Sequence, residues 1–128
     1  MKLVLARAAL AASVVALASA AHATGEGVYI VEGANPGGAS PYHGQAELKQ
    51  VGEGVWEMHR DMGDATYTGH GVGDSQATAI TYHSGGQNGT VLCVTDGKGR
   101  YRGVWADDNG NQVGVESLTP ATGGGTKP

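Results

Sequence analysis

Beyond residue 24 the chain is a series of short runs rich in Val, Thr, Tyr and Trp, separated by turn-forming residues. All 23 glycines lie in this part, and no apolar repeat of helical period runs through it. Short runs of this composition are typical of β-strands. The pattern therefore predicts an all-β domain with eight strands, at residues 28–32, 44–50, 54–60, 65–72, 76–83, 90–95, 100–106 and 112–118.

The predicted connections are short, so consecutive strands are expected to pair antiparallel. Three connections contain pairs typical of tight hairpins, Asn88-Gly89, Asp96-Gly97 and Asn109-Gly110, because these residues tolerate a positive φ. Eight such strands expose two edges unless the sheet closes. We therefore expect a small eight-stranded antiparallel up-and-down barrel over residues 24–118, with a two-sheet β-sandwich as the alternative.

The first 23 residues have a different character. Lys2 and Arg7 precede an apolar run that ends in the small-residue segment Ala21-His22-Ala23. This order is typical of a helical, cleavable signal peptide, and the run is too short to cross a bilayer. We expect cleavage after Ala23, a soluble periplasmic or secreted product without a stable membrane anchor, and a disordered tail at residues 119–128.

The charge of the mature chain bears on its partners. Loss of residues 1–23 removes two of the eight basic residues and none of the twelve acidic ones, which leaves a net charge of −6. Nucleic acids are bound through clusters of Lys and Arg, so no nucleic-acid partner is expected. The single cysteine, Cys93, cannot form an internal disulfide and lies between apolar residues, which indicates a buried free thiol.

Two short patterns recur in the predicted strands. Gly-Val followed by Tyr or Trp begins at residues 27, 54 and 103, and Tyr-x-Gly begins at residues 42, 67 and 101. A glycine beside a large ring lets a sheet bend while the ring covers the bare backbone, which favours closure of a small barrel.

The order of these motifs resembles a group of exported bacterial proteins of unknown function, over nearly the whole mature chain. The segments that carry the resemblance are 27–38, 42–44, 67–71, 103–105 and 114–118. The resemblance implies export and brings no established activity with it. The Gly-x-Trp units also resemble those of lipocalin and avidin-type small β-barrels, at the level of the fold alone.

An eight-stranded barrel has an interior that holds either side chains or one small ligand. The side chains expected to point inward are Ala46, Leu48, Trp56, Met58, Ile80, Leu92, Val94 and Trp105. The longer loop 34–41 is the expected lid over one end. The leading hypothesis is an exported, non-catalytic binding protein that holds a small molecule or an extracytoplasmic protein at the barrel mouth. The candidate ligand-binding residues are Tyr29, Asn35, Tyr42, Trp56 and Trp105.

Other functions have weaker support in the sequence. A surface interaction protein, either an adhesin or a periplasmic inhibitor, is the alternative. Four histidines, His43, His59, His70 and His83, are candidate metal ligands, but no two have the i, i+2 spacing that places both on one strand face, so no metal site or cofactor is predicted. No nucleophile with a nearby base stands out, so no catalytic residue is predicted.

Overall fold

The protein forms a closed barrel of eight antiparallel strands. The computed structural model describes residues 25–121; the predicted signal peptide and residues 122–128 lie outside the described residues. The strands are β1 (Gly27–Ala34), β2 (Pro41–Gly52), β3 (Val55–Asp61), β4 (Thr66–Gly73), β5 (Ala77–Ser84), β6 (Gln87–Thr95), β7 (Tyr101–Asp107) and β8 (Gly114–Pro120). Each strand pairs with its neighbours in sequence, and β8 pairs with β1. The predicted up-and-down barrel is confirmed, and the sandwich alternative is wrong. Within residues 25–121, no helix has the length and apolar character needed to span a membrane.

One of the three predicted hairpin turns is wrong. Asn88 and Gly89 lie inside β6, paired with His83 and Tyr82 of β5. The chain reverses earlier, at Gly85 and the glycine after it, where Gly85 has a φ of 60°. Two-residue hairpin turns require a positive φ at their first central position, which this glycine supplies without steric cost.

The last strand is longer than expected. Thr119 and Pro120 belong to β8, and the backbone N–H of Ala121 donates to the Val28 carbonyl at 2.9 Å. The barrel therefore extends beyond the predicted boundary at residue 118. The rest of the predicted tail lies outside the described residues.

The inward-facing side chains form one core that is rich in aromatic rings. Its fully buried members include Tyr29, Trp56, Met58, Ile80 and Leu118. On β6 the predicted inward face is wrong, because Leu92 and Val94 are 46% and 44% exposed while Val91 and Cys93 are buried. Residues 91–94 are all apolar, so alternation alone does not decide which face of this strand points inward.

Large rings in the interior lie directly over glycines of the adjacent strand. The pairs are Tyr42 over Gly33, Tyr82 over Gly89 and Trp105 over Gly114. At each of these glycines a Cβ atom would overlap the ring of its partner. In these pairs the ring belongs to one strand and the glycine to the next, and none of the three glycines belongs to the two recurring motifs.

The outer surface carries one continuous apolar row. The strand register aligns one outward residue from every strand, in the order Val55, Val72, Ala79, Leu92, Val104, Val115, Ala34 and Pro41. Within this row Val72 is 62% exposed, Leu92 46% and Val115 40%. We call this set the outer apolar row.

The overlap at Gly89 gives a direct test of the interior packing. A Gly89→Ala substitution places a methyl group against the Tyr82 hydroxyl and should lower the free energy of unfolding by about 1–3 kcal/mol. Gly86→Ala is the matched control, because no atom lies within 4 Å of a Cβ at that position. Urea unfolding of both variants measures the difference. Equal stability would contradict the ring-over-glycine packing.

Candidate functional site

One end of the barrel interior is filled by aromatic side chains. Three of them donate a hydrogen bond to a backbone carbonyl there: Trp56 to Gly73 at 2.9 Å, Tyr29 to Gly25 at 2.8 Å and Tyr101 to Ser75 at 2.7 Å. All three are buried. Burial raises the pKa of the Tyr29 hydroxyl, so it stays protonated as a donor at neutral pH. We call this end, where β1 begins and β8 ends, the sealed end.

The opposite end holds an open cavity of about 480 Å³. Its lining combines aromatic rings with polar and charged side chains: Asn35, Pro36, Tyr42, His43, Arg60, Met62, Asp64, Tyr67, Tyr82, Gln87, Val91, Trp105, Asp107 and Glu116. We call it the mouth cavity. Small-molecule sites commonly have volumes of roughly 300–1,000 Å³ and a few polar groups on an apolar wall, and the mouth cavity matches both features.

A buried ion pair lies in the cavity wall. Arg60 on β3 donates from Nη1 to Glu116 Oε1 at 2.8 Å and from Nη2 to Glu116 Oε2, and its Nε donates to the Met58 sulfur at 3.1 Å. The two side chains are 10% and 1% exposed. Burial disfavours the charged guanidinium, but the hydrogen bonds and negative charge of Glu116 outweigh it, so the pKa of Arg60 is raised. Arg60 therefore keeps its charge, and the pair is held in a two-bond geometry.

The space for this carboxylate comes from a glycine. Glu116 on β8 pairs with Gly103 on β7, and a Cβ at residue 103 would lie 2.7 Å from Glu116 Cγ. Gly103 belongs to the Gly-Val-Trp motif that begins at that residue. One motif thus supplies both the gap that admits Glu116 and the ring of Trp105.

A chain of hydrogen bonds links the ion pair to two aromatic rings. The indole N–H of Trp105 donates to the Tyr42 hydroxyl at 2.7 Å, and Tyr42 donates to Glu116 Oε1 at 2.8 Å. Burial and then the charge of Glu116 raise the pKa of Tyr42. The phenol therefore remains a donor at neutral pH, and both rings are fixed in orientation.

A second polar group lies in the cavity lining, at the end of β7. Asp107 at the end of β7 accepts from the Tyr82 hydroxyl and from Gln87 Nε2, each at 3.0 Å. Burial and then the hydrogen bond to Asp107 raise the pKa of Tyr82. This carboxylate is only partly buried and faces the cavity from its rim.

Four rings in the cavity wall touch one another in series. The ring centroids are 5.9 Å apart for Tyr67–Tyr82, 6.5 Å for Tyr82–Trp105 and 6.1 Å for Tyr42–Trp105, and each pair is edge-to-face. We call Tyr67, Tyr82, Trp105 and Tyr42 the aromatic arc. Edge-to-face pairs are worth about 0.5–1.5 kcal/mol beyond the area they bury, so the arc stabilises the wall that it forms.

The loop between β1 and β2 lies at the mouth. It contains a short 3-10 helix at Pro36–Gly38, and Asn35 closes it through Nδ2, which donates to Ser40 Oγ at 2.9 Å. Asn35 and Pro36 line the cavity. The loop that was expected over one end of the barrel therefore borders the cavity at that end.

The predicted ligand-binding residues separate into two groups. Asn35, Tyr42 and Trp105 line the mouth cavity together. Tyr29 and Trp56 fill the sealed end instead, where both are buried. They lie at the start of β1 and β3, and in this topology both of those strands begin at the sealed end.

The four histidines do not converge. His43 lies on β2 at the cavity rim, whereas His59, His70 and His83 are exposed on β3, β4 and β5. Among residues 25–121, no three His, Cys, Asp or Glu side chains form a group that could hold a metal ion.

Sequence reasoning missed the charged part of the site. Arg60 lies on the same face of β3 as Trp56 and Met58. Glu116 lies on the same face of β8 as the buried Leu118, two residues further along. A charged residue in register with inward apolar residues is the signal that would have found both. It was missed because Arg and Glu are usually exposed, so the alternation was read from apolar residues alone.

Comparisons with protein-family models, with curated proteins and with solved structures found no match for this chain. The resemblance to a group of exported bacterial proteins therefore stays a prediction. The geometry of the mouth cavity is the basis for a functional interpretation.

The buried ion pair predicts a specific pattern of stability. Arg60→Met leaves Glu116 buried without its partner and should lower the free energy of unfolding by about 3–5 kcal/mol. The double variant Arg60→Met/Glu116→Leu should lose much less than the sum of its single variants, because no unpaired charge remains.

The exposed ion pair between Arg100 and Asp96, at 2.6 Å, provides the control. Arg100→Met should leave the free energy of unfolding almost unchanged, because water solvates the remaining carboxylate. Chemical unfolding of the four variants measures these differences. A loss for Arg60→Met no larger than that for Arg100→Met would refute the buried pair.

Proposed function

We propose that this protein is an exported, non-catalytic binding protein that holds a small ligand in the mouth cavity. The observation that carries the proposal is the asymmetry of the interior. One end is filled by Tyr29, Trp56 and Tyr101, while the other is an open cavity with fixed polar groups. A barrel whose only purpose is structural has no need to keep one end unfilled, since unfilled volume forfeits packing energy.

The fixed orientation of the wall supports binding. Arg60, Glu116, Tyr42 and Trp105 are joined by hydrogen bonds of 2.7–2.8 Å together with the second bond of the ion pair. Groups that are already ordered lose little conformational entropy when a ligand arrives. The wall is therefore preorganised for recognition.

The state of Cys93 supports the non-catalytic part of the proposal. Cysteine is the residue type most readily used as a nucleophile, yet Cys93 is only 1% exposed. Burial raises the pKa of Cys93 to about 12, so almost no thiolate forms at neutral pH. The thiol acts as a small apolar core residue.

The export part of the proposal is supported by the order of residues in the first 23 positions, from basic to apolar to small. A binding protein in the periplasm or outside the cell meets small molecules before they enter the cytoplasm. A net charge of −6 after loss of residues 1–23 suits a soluble protein of that compartment better than one that associates with nucleic acid.

Filling the cavity tests the proposal. Val91 lines the mouth cavity, and Val94, on the same strand, points outward. Val91→Phe should abolish ligand uptake because the added ring occupies the cavity, while Val94→Phe should retain it. Native mass spectrometry of both variants and the unsubstituted protein, incubated with a small-molecule library, measures uptake. Circular dichroism establishes that both variants are folded.

Two results would count against the proposal. One is an absence of any uptake by the unsubstituted protein across the library. The other is uptake that Val91→Phe and Val94→Phe retain equally, because the ligand would then bind outside the mouth cavity.

A second candidate function is the surface interaction protein, and the outer apolar row favours it. Exposed apolar patches often mark contacts with other proteins, and Val72, Leu92 and Val115 are at least 40% exposed. The two functions use opposite faces of the same sheet. A Leu92→Ser variant should therefore keep ligand uptake under the first function and lose partner binding under the second.

A further inference from the structure

The charges that face the mouth cavity do not balance. Arg60 and Glu116 neutralise each other through two hydrogen bonds. The remaining carboxylates are Asp64 and Asp107, and among residues 25–121 no second Lys or Arg lines the cavity. The carboxylates of the lining therefore outnumber its Lys and Arg side chains, and a ligand in the cavity faces an excess of negative charge. This inference rests on the proposed function, because it concerns the ligand of that same cavity.

Asp107 is an acceptor on the cavity wall that can take a further hydrogen bond. The Tyr42 and Tyr82 hydroxyls already donate to Glu116 and Asp107. Asp107 accepts two hydrogen bonds, and a carboxylate offers about four lone-pair directions, so it retains capacity for a further donor. A ligand that supplies an N–H donor therefore finds an acceptor at Asp107, whereas the Tyr42 and Tyr82 hydroxyls have no proton left to donate to a ligand.

The aromatic arc also favours a positively charged ligand. Tyr and Trp rings attract a positively charged group over their faces, an interaction worth roughly 0.5–2 kcal/mol depending on how far the group is desolvated. The rings of the arc line the same cavity as Asp107, and one of them, Tyr82, is hydrogen-bonded to Asp107 at 3.0 Å.

We propose that the mouth cavity binds an organic cation, with an ammonium group at Asp107 and an apolar body against the aromatic arc. The cavity volume of about 480 Å³ admits a small molecule of this kind.

Arg60 does not reverse this preference. Its Nε donates to Met58 and its Nη1 and Nη2 donate to Glu116, so its charge is compensated by a carboxylate with which an anionic ligand would have to compete. Such a ligand would also meet Asp107. An anion is therefore disfavoured although an arginine lines the cavity.

Three probes that share one phenylethyl body and differ in charge test the inference: phenethylamine, phenethyl alcohol and phenylacetate. Isothermal titration calorimetry of the purified protein at neutral pH should show that the amine binds about tenfold more tightly than the other two. One charge-assisted hydrogen bond to Asp107 is enough to produce a difference of this size. The preference should weaken as salt is added.

Asp107→Asn keeps the shape of the side chain and removes its charge. This variant should lose about tenfold in affinity for phenethylamine and retain its affinity for phenethyl alcohol. Asp108→Asn is the matched control, since Asp108 is exposed in the adjacent turn and does not line the cavity. That control should bind all three probes as the unsubstituted protein does.

Equal or tighter binding of the alcohol or the acid would overturn the cation inference while leaving the proposed function intact, because a ligand would still occupy the cavity. A preference for the amine that survives Asp107→Asn would also overturn it. If the amine does not bind, the cation inference is wrong. The proposed function is then decided separately, by comparing the uptake of library compounds by Val91→Phe and Val94→Phe.

Discussion

Glycines on the inner face determine how the interior of this barrel is divided. In a closed sheet of eight strands, opposing inner faces are near enough for side chains to fill the space between them. Three large rings lie where the adjacent strand has a glycine: Tyr42 over Gly33, Tyr82 over Gly89 and Trp105 over Gly114. The positions of these glycines therefore fix where these three rings of the aromatic arc lie.

The same constraint produces the polar part of the site. Glu116 is accommodated because Gly103 leaves a gap on β7, and the carboxylate then fixes Arg60 and Tyr42 by hydrogen bonds. A buried carboxylate without a partner would be strongly destabilising, so Arg60 and Glu116 depend on each other. The ion pair and the aromatic arc together form a wall that is rigid, amphipathic and open at one end.

Much of this fold follows from the sequence. The eight strands, their order and their closure were predicted from the spacing of turn residues and from the repeated glycine and aromatic motifs, because these are local properties of the chain. The errors fall where local properties are ambiguous. Residues 91–94 are all apolar, so the sequence does not indicate which face of β6 points inward. Gly85 and Gly89 are both suitable positions for a hairpin turn, so the sequence does not decide between them.

The site was only partly predictable. Asn35, Tyr42 and Trp105 were identified from their place in loops and motifs, and they lie together at the mouth. The partnership of Arg60 with Glu116 joins β3 to β8, 56 residues apart, and depends on which strands face each other across the barrel. Tyr29 and Trp56 were predicted to bind a ligand at the mouth, because the residues around them do not indicate which end of the barrel they occupy.

The central claim is that one end of the interior is sealed and the other is open, and the two tryptophans report on one end each. Trp56 donates its indole N–H to Gly73 at the sealed end, and Trp105 donates to Tyr42 in the mouth cavity. Nuclear magnetic resonance of the two indole N–H signals, with a small neutral nitroxide added to the solution, tests the claim. The account predicts strong loss of the Trp105 signal and retention of the Trp56 signal. Equal loss of both signals, or retention of both, would contradict it.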